Sequence, residues 1–259
     1  MSQKSTIEWT DGTWNPVRGC TKISTGCKNC YAETFAERWR GIPGHPYEQG
    51  FDLRLVPEAL TNPLRWKKPL RIFVNSMSDL FHKDVPHDYI LRCYQVMMQA
   101  ERHVFQILTK RADRMAQFLS SRDFERMAKD YRKTSHLWHG FSTENQTMVE
   151  QRIPYFDEFP TWLEGINFLS IEPMLGPVDF TRLPSGWARS GAGGVDWVIC
   201  GGESGHNHRM MSVGWARMLR DQCRDAGVKF FMKQMGGAVD KRGALEDLPD
   251  DLRIREFPR

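Results

Sequence analysis

Six short apolar runs rich in β-branched and aromatic residues recur along this chain, each ending in a polar cluster. They are "RIFVNSMSD" (71–79), "HVFQILTKR" (103–111), "HLWHGFSTENQ" (136–146), "INFLSIEPM" (166–174), "VDWVICGGES" (195–204) and "VKFFMKQMGG" (228–237). Helical patterns follow most of them, as in "HDYILRCYQVMMQAE" and "SVGWARMLRDQCRDAG". The runs are nearly continuous rather than alternating, so both faces of each strand are covered, which is the mark of a parallel sheet with helices outside. An earlier short strand is expected in "WNPVRG", followed by a helix at "YAETFAERWRG" that Gly41 ends. Six or seven such units predict an α/β fold: a partial or full (β/α) barrel, or an open doubly wound sheet. No G-x-G-x-x-G follows the first strand, which disfavours a dinucleotide-binding fold. The 259 residues are expected to form a single domain, with loop insertions at 41–69 and 179–194.

In such folds the working residues sit at the carboxyl ends of strands. Those positions carry Asn75, Ser76 and Asp79; Thr109, Lys110 and Arg111; Ser142, Glu144 and Asn145; Glu172; Gly201, Gly202 and Glu203; and Lys233 and Gln234. Ser76, Asp79 or Ser142 alone reads equally well as a helix cap. Together they predict one polar rim, and charges that close to buried strands need partners.

Before the second unit comes "RGCTKISTGCKNCYAE" (18–33), which places Cys20, Cys27 and Cys30 within eleven residues. The remaining cysteines, Cys93, Cys200 and Cys223, lie in apolar surroundings and read as buried small side chains. Thiolates bind soft metals. A closed zinc site wants a fourth Cys or His at a familiar spacing, and none follows the pattern. A [4Fe–4S] cluster accepts three cysteines and leaves one iron open to a ligand. Gly19 and Gly26 permit the tight backbone that wrapping a cluster needs. The cluster is the preferred reading; zinc and a metal-free loop are the alternatives.

A three-cysteine loop after the first strand of a β/α barrel resembles the radical S-adenosylmethionine (SAM) enzymes. Their usual spacing is C-x3-C-x2-C; here it is C-x6-C-x2-C, so the second half matches and the first gap is longer. The ordered set "WNPVRGCTKISTGCKNCYAE", "FVNSMSDLFH", "FQILTKR", "FSTENQ", "FLSIEPMLGPV", "GGESG" and "FFMKQMGG" resembles the phage Gp37/Gp68 family, a three-cysteine-motif domain of unknown function. "LTKR" resembles the Thr-Lys element of the spore photoproduct lyase-like branch. These resemblances imply Cys20, Cys27 and Cys30 as cluster ligands. They also imply Ser76 and Asp79 at the methionine amino group of SAM, Lys110 (with Arg111 as competitor) at its carboxylate, and Ser142, Glu144 and Asn145 at the ribose. Glu172, Glu203 and Lys233 are left as candidate catalytic groups facing a substrate.

The implied activity is radical chemistry on a nucleobase or nucleic-acid-related substrate, with an electron donor protein and a further partner protein as expected associates. The competing functions are an iron–sulfur or zinc nucleic-acid-binding protein without SAM chemistry, and metal-assisted hydrolysis with Glu172 or Glu203 as base. A net charge of +4 is compatible with nucleic acid. The basic run "NPLRWKKPLR" (62–71) offers Arg65, Lys67, Lys68 and Arg71 for phosphates and Trp66 for base stacking. No run of about 18 apolar residues and no apolar leader is present, so no membrane association and a cytoplasmic location are expected.

Overall fold

The computed structural model describes residues 4–131, 133–183, 187–188 and 193–258. The strands are β1 (Gly12–Trp14), β2 (Val17–Arg18), β3 (Arg54–Leu55), β4 (Arg71–Val74), β5 (Val104–Thr109), β6 (Leu137–Thr143), β7 (Asn167–Ile171), β8 (Trp197–Gly201) and β9 (Lys229–Gln234). Seven of them form one parallel sheet in the order β1-β4-β5-β6-β7-β8-β9, and β2 pairs antiparallel with β3. The six expected apolar runs are β4 to β9. Because β1 and β9 are the edges, the sheet is the open, partial form of the (β/α) arrangement, not a closed barrel. Every residue of β6, β7 and β8 is buried, the physical origin of their unbroken apolar character.

Two compact units divide the chain. The first holds residues up to 23 together with 30–138. Its strands β1, β4 and β5 run in register, Trp14 beside Val74 and Val74 beside Ile107. Helix α1 (Tyr31–Glu37) follows the cysteine loop, and α3 (His87–Gln99), α4 (Ala112–Leu119) and α5 (Arg122–Ala128) supply the apolar cover. On α3, Ile90, Cys93, Tyr94 and Met97 recur at helical spacing and are buried. Tyr94 packs against Phe118 and Phe124 with ring centroids about 5 Å apart.

The early strand differs from expectation. Gly12–Trp14 joins the main sheet, whereas Val17–Arg18 pairs with Arg54–Leu55. The 41–69 insertion is therefore not a bare loop: it contributes β3, a 3-10 turn at Pro57–Ala59 and α2 (Asn62–Arg65). Trp14 Nε1 ties it to β1 by donating to the Ala59 carbonyl at 2.8 Å. Trp66 is also not the stacking platform expected of it. It is buried at 7% exposure, edge-on to His103, and its carbonyl accepts from Arg102. Arg65, Lys67 and Lys68 remain exposed, while Arg71 is paired with Asp11 at 3.0 Å.

The second unit holds residues 24–29 together with 139–259. Helix α6 (Gln146–Arg152) is capped by Asn145, whose side chain accepts from the Met148 N–H at 3.0 Å. Helix α7 (Val213–Ala226) starts at Ser212, which accepts from Gly214, and stops at Gly227 with φ 72°. Phe141, Phe156 and Phe159 form one aromatic cluster; Phe168, Trp197, Phe231 and Phe257 form another. In the expected 179–194 insertion the structure describes a 3-10 turn at Phe180–Arg182 and a stacked Phe180–Trp187 pair; residues 184–186 and 189–192 lie outside the described residues. Among the described residues no helix is long and apolar enough to cross a membrane.

Candidate functional site

In the first unit, the cysteine loop leaves β2 through Gly19, whose φ of 77° favours glycine. A Cβ there would lie 2.2 Å from the Asp52 carbonyl oxygen. The Gly19 N–H donates to the Met77 carbonyl and the Cys20 N–H to that of Phe51. Cys30 is the N-cap residue of α1, and Cys20 and Cys30 pack against Ala32, Ala36 and Phe51. Tyr31 is exposed and donates its hydroxyl hydrogen to the Ser76 carbonyl. Ser76 Oγ and the Met77 N–H both donate to Asn15 Oδ1. Asn75 adopts φ 60°, uncommon for a non-glycine residue. Its Oδ1 accepts from the Val17 N–H, while its buried Nδ2 has no hydrogen-bond partner.

Asp79, expected at the methionine amino group, is held within the protein. Its carboxylate accepts from the Phe81 N–H, Thr109 Oγ1, the Lys110 N–H and Arg111 Nη1, the last at 2.8 Å. The Asp79 and Arg111 side chains are each 9% exposed. Arg111 Nη1 also donates to Cys20 Sγ at 3.6 Å, and Nη2 donates to both oxygens of Thr21. His82 Nδ1 accepts from the Asp84 N–H, so its Nε2 carries the proton and donates to Thr21 Oγ1 at 2.8 Å. Burial, then the Arg111 charge, holds His82 below the usual imidazole range. Lys110 keeps a partly exposed side chain.

In the second unit, the middle of the cysteine loop is held by two buried carboxylates. Glu144 is fully buried and accepts from the Gly26 N–H at 2.9 Å and from Thr25 Oγ1, while pairing with Arg152 at 3.2 Å. A Cβ on Gly26 would lie 3.0 Å from the Glu144 carboxyl carbon, so a side chain there would crowd the carboxylate. Glu203 accepts from Asn29 Nδ2 at 2.9 Å and from the Arg209 backbone and guanidinium. Burial would raise the Glu203 pKa, but the Arg209 and Asn29 hydrogen bonds outweigh it and hold the carboxyl below its usual range.

Glu172 is paired with Lys233, both mostly buried. Ser142 is buried and its hydroxyl donates to the Glu172 carbonyl. Asn145 is spent on the α6 cap, so the cap role expected of Ser142 belongs to its neighbour three residues on. Gly201 would bring a Cβ to 3.4 Å from the Glu172 side chain. The close approach at Gly202 is to the Met235 carbonyl, 2.0 Å from where a Cβ would lie. Gln234 donates to the Gly202 carbonyl.

All six cysteines stand as thiols rather than disulfides. Cys20, Cys27 and Cys30 are partly exposed; Cys93, Cys200 and Cys223 are buried, with burial pushing each thiol well up from its usual range. Among the described residues no three His, Cys, Asp or Glu side chains are gathered closely enough to hold a metal ion. By chemistry, three partly exposed thiols within eleven residues are soft-metal donors, and in the first unit Asn75 Nδ2 is an orphaned donor. Sequence reading passed over Asn29, Arg152 and Arg209, and gave Arg111 second place to Lys110. The local signal for Arg111 was its position at the end of β5.

A parallel α/β sheet with a three-thiol loop beyond its first strand defines the class of this protein. The chain belongs to the family described as "Protein of unknown function (DUF5131)", which matches residues 4–250. That description neither supports nor contradicts the phage Gp37/Gp68 name. No curated protein matches the chain. Among solved structures, a spore photoproduct lyase mutant is similar at 11% identity and a TM-score of 0.49, over 90% of this chain. The chain spans 58% of that protein's length.

Proposed function

We propose that this chain is a radical SAM-like iron–sulfur enzyme acting on a nucleobase or nucleic-acid-related substrate. In it Cys20, Cys27 and Cys30 hold a [4Fe–4S] cluster with one iron open to SAM. The observation that carries the proposal is the distribution of thiols: the three of the loop are partly exposed, and the other three are buried. When bound, the cluster supplies the electron that starts radical chemistry on SAM. Gly19 and Gly26 let the loop backbone approach its anchors closely. Lys110 offers its ammonium to the SAM carboxylate. Ser76, partly exposed, offers a polar contact to the methionine amino group. In this reading Glu172 and Lys233, a carboxylate and an ammonium already in contact, hold or pass a proton at the substrate. Arg209 and Asn29 fix the orientation of Glu203. An electron donor protein completes the proposed system.

The test is anaerobic reconstitution with iron and sulfide, followed by SAM calorimetry and a search for 5′-deoxyadenosine. A brown protein that binds SAM, with Lys110→Ala weakening binding by about 1.5–3 kcal/mol, supports the proposal. A colourless zinc protein overturns it. A cluster-loaded protein that ignores SAM leaves the nucleic-acid-binding alternative.

A further inference from the structure

Arg111 is held from two sides. Asp79 accepts from Nη1 at 2.8 Å, and Thr21 accepts from Nη2 through its carbonyl at 3.1 Å and its hydroxyl at 3.3 Å. Both partners are themselves fixed: Asp79 by Thr109 and the Phe81 N–H, Thr21 by His82. With the guanidinium 9% exposed and its fork planar, little freedom remains to Nη1, which also reaches Cys20 Sγ at 3.6 Å. Arg111 is thus already neutralised by Asp79, while one N–H is directed at a sulfur.

We propose that Arg111 is a positioning residue for the Cys20 ligand, donating a hydrogen bond to its sulfur and thereby raising the reduction potential of the cluster. The inference rests on the cluster assignment above. A donor at a ligand sulfur withdraws negative charge from the iron–sulfur unit and favours its reduced, more negative state. Asp79 aims the guanidinium and cancels its net charge, so the effect is that of an oriented N–H dipole. The same pairing leaves the carboxylate of an amino-acid ligand to Lys110.

Removing Arg111 alone would strand Asp79 as a buried, uncompensated charge. The test therefore pairs Asp79→Asn with Arg111→Gln and sets beside it Arg111→Lys, which keeps the positive charge and loses the fork. The full-length proteins are reconstituted anaerobically, and their iron and sulfide contents are measured. Their midpoint potentials are then read by dye-mediated titration followed by electron paramagnetic resonance. The expected result is a more negative potential in the double variant and a smaller shift of the same sign in Arg111→Lys. A potential equal to or above wild type in the double variant overturns the inference. Should the double variant fail to fold, a wild-type potential in Arg111→Lys overturns it equally. A wild-type protein that takes up no cluster overturns the underlying cluster assignment instead, a result distinguishable from an unchanged potential.

Discussion

Glu144 accepts a hydrogen bond from the Gly26 backbone N–H at 2.9 Å, across 118 positions of sequence. The carboxylate has no exposure and is paired with Arg152, so the turn before Cys27 is anchored to the end of a buried strand. Replacing Glu144 by Ala strands the Arg152 guanidinium in the interior. The expected cost is about 3–5 kcal/mol, the range for breaking a buried pair by removing one partner. Glu144→Gln, which keeps the shape and a carbonyl acceptor for Gly26, should lose less. Thermal unfolding of the two variants measures the difference, and equal stability would show that the anchor contributes nothing.

The three loop thiols should behave alike, and apart from the core cysteines. Ala at Cys20, Cys27 or Cys30 is expected to abolish iron binding on reconstitution; Ala at Cys93 or Cys223 is expected to leave it. Iron and sulfide content per chain decides the matter. Full iron retention by Cys27→Ala would remove this loop from the ligand set.

Glu203 makes the loop acid-sensitive. Its folded pKa lies below the ordinary value of 4.5, so the stabilisation it provides is present above that value and is lost as pH falls through the folded pKa. Amide exchange over residues 24–29 should stay protected, relative to the rest of the second unit, from neutral pH down to that ordinary value. Below it the protection should fall. Glu203→Gln should show weaker protection at neutral pH and no such acid step. An acid step that persists in Glu203→Gln would assign it to another group.

Trp66 is a core residue, and its replacement should be read as a stability change. Trp66→Ala is expected to cost about 3–5 kcal/mol of stability, seen as a lowered denaturation midpoint. Charge reversal at the exposed Lys67 and Lys68 should leave stability nearly unchanged and flatten the salt dependence of any oligonucleotide binding. Fluorescence anisotropy at several salt concentrations reads the second effect. No binding at low salt would mark the basic run as a solvated face.

The strands β4 to β9, the helices behind them and the burial of Cys93, Cys200 and Cys223 were legible in sequence. Burial on both faces leaves an apolar run, and a half-buried helix leaves a 3.6-residue period, whatever their neighbours are. The thiol loop was legible too, since its chemistry lies within eleven residues. What the loop touches was not. Glu144 anchors the loop backbone; the Arg111 guanidinium reaches Asp79 and Cys20; Trp66 packs edge-on against His103 and is buried. Local patterning records whether a side chain leaves water and how charged it is. It does not record which partner, thirty to 120 positions away, satisfies a buried charge or a loop amide. That choice depends on which strand ends the sheet order brings together, and only the tertiary structure decides it.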